Sequence, residues 1–229
     1  LRTYDYVVAN PKFSDKAWTT GLTPSKDPFQ RFAWGVPPAK QGDYAYLLHI
    51  IRSMKSTGKG AVILPHGVLF RGNAEAVIRK QLVRSGYLKG IIGLPANLFY
   101  GTGIPASILV LRAKGSKPPE RQGKVLFINA DAELRSGRAQ NYLDPEHIEK
   151  IVNAYQRYTD IPGFAAVVSH EDLAENDFNL NIPLYVAPTD DGEKPTLAEA
   201  LAGLEAAHAA ATKTRAALEA ELAKWGLSA

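Results

Sequence analysis

Tyr4-Asp5-Tyr6-Val7-Val8-Ala9-Asn10-Pro11-Lys12-Phe13 is the stretch on which the reading of this chain turns. Its first six residues are rich in β-branched and aromatic side chains and read as a strand. Asn10-Pro11 stops that strand, because proline fixes φ and cannot donate to a ladder. A strand ending in Asn-Pro and an aromatic has a chemical use. The Asn10 side-chain oxygen and the Pro11 carbonyl can each accept one N–H of an exocyclic amine, which favours positive charge on that nitrogen as it attacks an electrophile. Phe13 can stack on a base taken out of a duplex. In isolation the same tetrapeptide is a common turn initiator, so its meaning depends on what surrounds it.

Outward from it, residues 12–42 have no clean period and hold Pro24, Pro28, Pro37 and Pro38 among Trp18, Phe29, Phe32 and Trp34. A loop this long is more often functional than decorative. Asp43 is placed to cap a helix over about 44–57, with Tyr46, Leu47, Ile50, Ile51 and Met54 on its apolar face and Gly58 and Gly60 closing it. Ala61–Leu64 reads as a buried strand ended by Pro65-His66-Gly67. Asn73–Ser85 reads as a helix stopped by Gly86. Leu88–Leu94, Ala106–Leu111 and Val125–Asn129 are further apolar strands, and Asp144-Pro145 starts a helix to about Tyr158. Phe164–Val168 and Tyr185-Val186 are short strand candidates. The class is α/β, with strands apolar enough to be buried on both faces.

The composition is that of a globular protein: 229 residues, 45% apolar and 22% charged. There is no cysteine, which excludes disulfides, thiolate metal sites and a cysteine nucleophile. No run reaches the roughly 18 uninterrupted apolar residues of a membrane span. The chain enters a strand pattern at once instead of a signal peptide, so a cytoplasmic protein is expected. A start at Leu1 rather than Met reads as a fragment. The net charge of +4 divides unevenly: residues 1–125 carry 19 Lys/Arg against 6 Asp/Glu, net +13, and residues 126–229 carry 8 against 17, net −9. The first half is a candidate polyanion surface.

Ala187–Pro195 is a polar linker. Beyond it Leu197, Leu201, Leu204, His208, Ala211, Arg215, Leu218, Leu222 and Trp225 alternate spacings of four and three without a slip. That is an a/d seam of about four heptads, the pattern of an interaction helix or coiled coil over 196–226.

Taken together, these segments resemble the modification (M) subunit of type I restriction-modification systems, an N6-adenine DNA methyltransferase family. The resembling text is Tyr6 to Ser14, Gly42-Asp43-Tyr44-Ala45-Tyr46, Ile63 to Gly72, Gly93-Leu94-Pro95-Ala96-Asn97-Leu98-Phe99, Gly101-Thr102-Gly103-Ile104-Pro105, and Asn179 to Val186. It spans residues 4 to 186, and the ordered series is far more specific than any member. The resemblance implies a partial Rossmann-like methyltransferase sheet, the catalytic half over 1–125 and the rest of that domain over 126–186. It implies S-adenosylmethionine as methyl donor and flipped adenine as acceptor. It also implies double-stranded DNA, a specificity (S) subunit, a second M subunit and, in the whole assembly, a restriction (R) subunit as partners. By the same resemblance Asn10 and Pro11 would hold the adenine amine and Phe13 would stack on the ring. Asp43 and His66 would line the pocket, Asp43 chiefly as a helix cap and His66 as a loop-shaping residue.

The chain departs from the family pattern twice. The family motif is Asn-Pro-Pro-Phe or Asn-Pro-Pro-Tyr, and Lys12 stands at the second Pro, which frees the backbone and adds a cation where positive charge must develop. Reduced or absent turnover is expected from it. The family's glycine-rich cofactor loop precedes the Asn-Pro strand. Here the only G-x-G matches are Gly58-Lys59-Gly60 and Gly101-Thr102-Gly103, and neither opens a helix after the first strand. The cofactor-binding residues are therefore expected to be absent, and the isolated chain inactive. Two alternatives compete: a DNA-binding scaffold subunit that lost turnover through Lys12, and a methyltransferase of RNA or protein amines.

Overall fold

The computed structural model describes residues 1–187 and 196–226. The first unit, Leu1–Thr189, is built on six strands: β1 (Tyr4–Ala9), β2 (Met54–Pro65), β3 (Leu88–Gly93), β4 (Ala106–Arg112), β5 (Lys124–Asn129) and β6 (Ala165–Ser169). Their order across one sheet is β1-β2-β4-β3-β5-β6. β1 with β2 and β3 with β5 run parallel, while β4 lies antiparallel between β2 and β3 and β6 closes antiparallel on β5. The carboxyl ends of β1, β2, β3 and β5 therefore share one edge of the sheet, here the Asn10 edge. The opposite edge gathers their starts and the end of β4.

The helices of this unit are α1 (Asp43–Arg52), α2 (Asn73–Arg84), α3 (Pro145–Arg157) and the short α4 (His170–Glu175). Alternate strand residues feed two cores, as the two-residue period of a strand requires. Ile91, Val125 and Phe127 join Leu47, Leu64 and Leu82, whereas Ile92, Leu126 and Ile128 pack with Ile151, Ala154 and Phe164 beneath α3. That double burial explains the unbroken apolar runs of β3 and β5. α2 ends with Gly86 at φ +74°, the left-handed stop that glycine adopts without strain. α3 opens with Asp144 and His147 in a reciprocal capping box and Pro145 in its first turn.

Two expectations need correction. The helix expected over 44–57 stops at Arg52, and Met54 already belongs to the twelve-residue β2, so Gly58 and Gly60 lie inside a strand. Met54 fits a helical face and a strand equally well by periodicity; pairing with Tyr4 of β1 decides it. Tyr185-Val186 is no strand. It follows a 3-10 turn at Ile182–Leu184 set by Pro183, and the Tyr185 ring lies 4.5 Å from that of Phe127.

Among the described residues β1 is paired on one side only, and its Tyr4, Tyr6 and Val8 are 50%, 69% and 78% exposed. The second unit, Asp190–Ala229, contains α5 (Leu197–Lys224), capped by Thr196 and Glu199. Its seam leucines Leu197, Leu201, Leu204 and Leu218 are exposed, so α5 is a single helix here and the coiled coil is not part of the structure. Most of the expected linker, residues 188–195, lies outside the described residues. No described helix is long and apolar enough to cross a membrane.

Candidate functional site

The site is assembled at the Asn10 edge, where the carboxyl ends of parallel strands leave loops free to carry chemistry. Asn10 follows β1 directly and is exposed, while Pro11 and Phe13 are half-buried. Among the described residues neither the Asn10 side chain nor the Pro11 carbonyl has a hydrogen-bond partner. Both oxygens are therefore available to an incoming donor. Phe13 meets Phe99, from the loop between β3 and β4, edge to face at 5.8 Å and 69°.

The turn is held from below. Ser14 takes a left-handed φ of 49°, and its backbone N–H donates to Asp43 Oδ1 at 2.7 Å. Asp43 is completely buried, and Arg71 Nη2 donates to its Oδ2 at 2.5 Å. Arg71 also bridges to Glu75 through Nε at 2.5 Å and Nη2 at 3.1 Å. Burial works against the charges of both Arg71 and Glu75. It raises Glu75 above the usual carboxylate range, whereas the hydrogen bonds that Arg71 donates to Glu75 and Asp43 outweigh it at Arg71 and raise that group. Asp43 is thus no helix cap: Gly42 precedes α1 without a side-chain cap, and the carboxylate ties the Phe13-Ser14 turn to the start of α2. A second brace runs from Tyr46, whose hydroxyl donates to Asp15 Oδ2 at 2.7 Å and holds that carboxyl below its ordinary range. Gly42 is obligatory here, since a Cβ would sit 2.7 Å from Trp18 Cβ and 3.1 Å from the Asp15 carbonyl.

His66 opens the 3-10 turn His66–Leu69 at the end of β2. Its backbone N–H donates to Pro105 at 3.0 Å, its ring stands edge-on to Phe70, and its Nε2 is buried without a partner. Burial pushes the imidazole down, with Asp131 acting in the opposite sense. His66 is thus joined to the loop before β4, while Asn10, Phe13, Asp43 and Phe99 form one connected constellation. Lys12 points outward, 79% exposed, with Asp15 3.8 Å away. The sequence reading gives no site role to Arg71, Glu75 or Tyr46; the Arg71/Glu75 spacing of four across a helix start is a hint for that pair, and Tyr46 reads as part of a helix's apolar face.

No cradle for a nucleoside cofactor is formed by the G-x-G segments. Gly58-Lys59-Gly60 is strand backbone paired with β4, and Gly101-Thr102-Gly103 lies in the loop before it. Among the described residues no group of His, Cys, Asp or Glu could hold a metal ion.

A mixed α/β sheet with strand-end loops at one edge is a frame on which α/β proteins bind ligands. The comparison with known families is more particular: the chain belongs to the N-6 DNA methylase family, whose match runs over residues 1–194. It is 36% identical over 198 residues to the type I restriction enzyme MjaVII methylase subunit of Methanocaldococcus jannaschii, covering 82% of this chain and 33% of that one. It is 33% identical to the HindI methylase subunit of Haemophilus influenzae, covering 96% and 50%. Among solved structures, a type I restriction-modification methyltransferase subunit from Streptococcus thermophilus superposes with a TM-score of 0.72 at 43% identity, over 80% of this chain and 38% of that one. The EcoKI M protein shares the fold, with a TM-score of 0.61 at 20% identity, over 83% and 45%. The chain spans about a third of the length of the first curated relatives it matches.

Proposed function

We propose that this chain is the acceptor-binding and C-terminal portion of an adenine-N6 DNA methyltransferase subunit of a type I restriction-modification system. The observation that carries the reading is the Asn10–Phe13 turn, placed at the end of β1 with two free acceptor oxygens and fixed through Ser14 to Asp43 and Arg71. Asn10 Oδ1 and the Pro11 carbonyl accept the two N–H bonds of adenine N6. This turns the nitrogen lone pair outward and stabilises the positive charge that grows on it. Phe13, backed by Phe99, stacks on the flipped ring. S-adenosylmethionine supplies the methyl group when bound, and neither G-x-G segment, one within β2 and the other in the loop before β4, supports a cofactor loop. In this reading the cofactor's cradle belongs to strands outside these 229 residues that continue the sheet from the open edge of β1. The nitrogen loses its proton to water after attack, so no strong base is needed, and His66 shapes its loop. α5 presents its leucine seam to helices of an S subunit or a second M subunit.

Lys12 separates this reading from that of a scaffold subunit of the same fold. The test is N6-methyladenine formation by a longer protein carrying this chain, assembled with its S subunit and duplex DNA. Asn10→Ala is expected to slow methylation by about 10²–10³-fold. Lys12→Pro, which removes the cation and restores the stiff Pro-Pro backbone, is expected to raise it. An Asn10→Ala protein as fast as the parent overturns the reading. Activity that appears only with Lys12→Pro establishes the scaffold instead.

A further inference from the structure

The cations of the first 125 residues do not gather at the Asn10 loop. The ion pairs on that side of the sheet are to carboxylates: Lys12 with Asp15, Arg71 with Asp43 and Glu75, and Arg135 with Asp144. At the opposite edge most of the partners are neutral. Lys59 lies over the Tyr6 ring at 5.3 Å, Lys89 over Tyr155 at 4.1 Å and Arg121 over Tyr158 at 4.5 Å. Lys117 Nζ donates to the Leu88 and Lys124 carbonyls, and Arg112 Nε is buried without a partner. Rings and carbonyls hold a cation in place without cancelling its charge. Two carboxylates do pair here, Asp5 with Lys55 at 2.8 Å and Glu120 with Arg121 at 3.9 Å. Among the described residues Lys59, Lys89, Arg112, Lys114 and Lys124 have no carboxylate within ion-pair distance.

The helices account for part of this charge. Arg52, Arg84 and Arg157 end α1, α2 and α3 and complement their dipoles. The strand-end cations have no such reason to be there. Their mutual repulsion registers in Lys89, whose ammonium is pushed down to about 8 by burial and by Arg121, Arg112 and Lys59. Two clefts of about 330 and 220 Å³ share Ser85 at this edge without a carboxylate among their lining residues, while a third of about 370 Å³ beside Arg121 and Lys124 includes Glu120 and Asp160.

We propose that this edge binds the phosphate backbone of a nucleic-acid duplex, as a contact separate from the Asn10 loop. Neighbouring strands lie about 4.8 Å apart, so the ends of β2, β4, β3 and β5 set their cations in a row about 15 Å long. A row of uncancelled charges matches a linear polyanion carrying one charge per roughly 1.7 Å of duplex. The inference does not depend on methyl transfer.

The test is anisotropy of a labelled duplex of about 24 G·C pairs, which contains no adenine and so leaves the proposed base pocket without its ligand. Lys59→Glu, Lys114→Glu and Lys124→Glu, combined in the 229-residue chain, alter three exposed side chains. The combination is expected to weaken binding at least about tenfold and to flatten the dependence of log K on log salt by about 2–3. The corresponding glutamine triple matches the size of the glutamates without reversing the charge and is expected to flatten the slope by a similar amount. Lys16→Glu with Lys40→Glu, at the Asn10 edge, is expected to leave both quantities unchanged, and unfolding curves of every variant check that it is folded. Parent-like affinity and slope in the folded triple variants, or no binding by the parent, overturns the proposal. Binding of poly-glutamate as tight as that of the duplex also overturns it, in favour of an acidic protein partner. Failure here leaves the Asn10 assay untouched.

Discussion

Arg71 is the residue on which the site's geometry depends, because it sits between two buried carboxylates. The side chains of Asp43 and Glu75 are 0% and 1% exposed, and Arg71 is their shared cation. Arg71→Ala would leave both acids buried and unpaired, at a cost of about 3–5 kcal/mol. Urea unfolding of the chain should register that loss, and a change below about 1 kcal/mol would mean that water or another cation serves the acids. The sequence made Asn10, Pro11 and Phe13 legible, since a strand stop followed by an aromatic is a local pattern. It misassigned Asp43, because an acid just before a helical run looks like a cap whatever its real partner. That partner lies 28 residues on and reaches it only after β2 has folded back. For Arg71 the only local signal was its spacing of four from Glu75.

The elements were readable where periodicity and a stop signal agreed. α2 with Gly86 and α3 with Asp144-Pro145 fall within a residue or two of expectation. α1 ran on too far because nothing in its sequence marks Ser53 as an end, and β2 is defined by strands on either side. The β4-β5 connection holds a feature that no pattern revealed. Lys117, 5% exposed, is turned inward to the carbonyls of Leu88 and Lys124, at the starts of β3 and β5. Burial, then the charge of Lys89, pushes it down to about 8 from an ordinary 10.5. A base whose pKa is lower in the folded state than in the unfolded one is penalised while charged, so stability should rise with pH from about 8 towards 10.5. Lys89 acts in the same sense. Urea midpoints between about pH 8 and 9.5, below the range in which tyrosines ionise, should climb in the parent. They should climb less in Lys117→Met, and an equal slope in both would remove Lys117 as a source of the rise.

For the molecule as a whole, the strand and helix pattern foretold an α/β protein and the charge count a basic half, and the fold alone shows on which side that charge lies. Residues 1–125 and 126–186 share one sheet, since β5 pairs with β3, while α5 belongs to a second unit. β1 and β6 are the two edge strands of the sheet, each paired on one side among the described residues, and on β1 Tyr4, Tyr6 and Val8 are exposed. An apolar open edge is a template for another strand. The central claim is that these 229 residues hold the methyl acceptor and that the donor is held beyond β1. Equilibrium dialysis against labelled S-adenosylmethionine tests it most directly, with this chain beside a longer one extended upstream of Leu1. No measurable binding is expected of the chain alone, and roughly micromolar binding of the longer one. Micromolar binding by the chain alone would contradict it and place the donor site within the six strands described here.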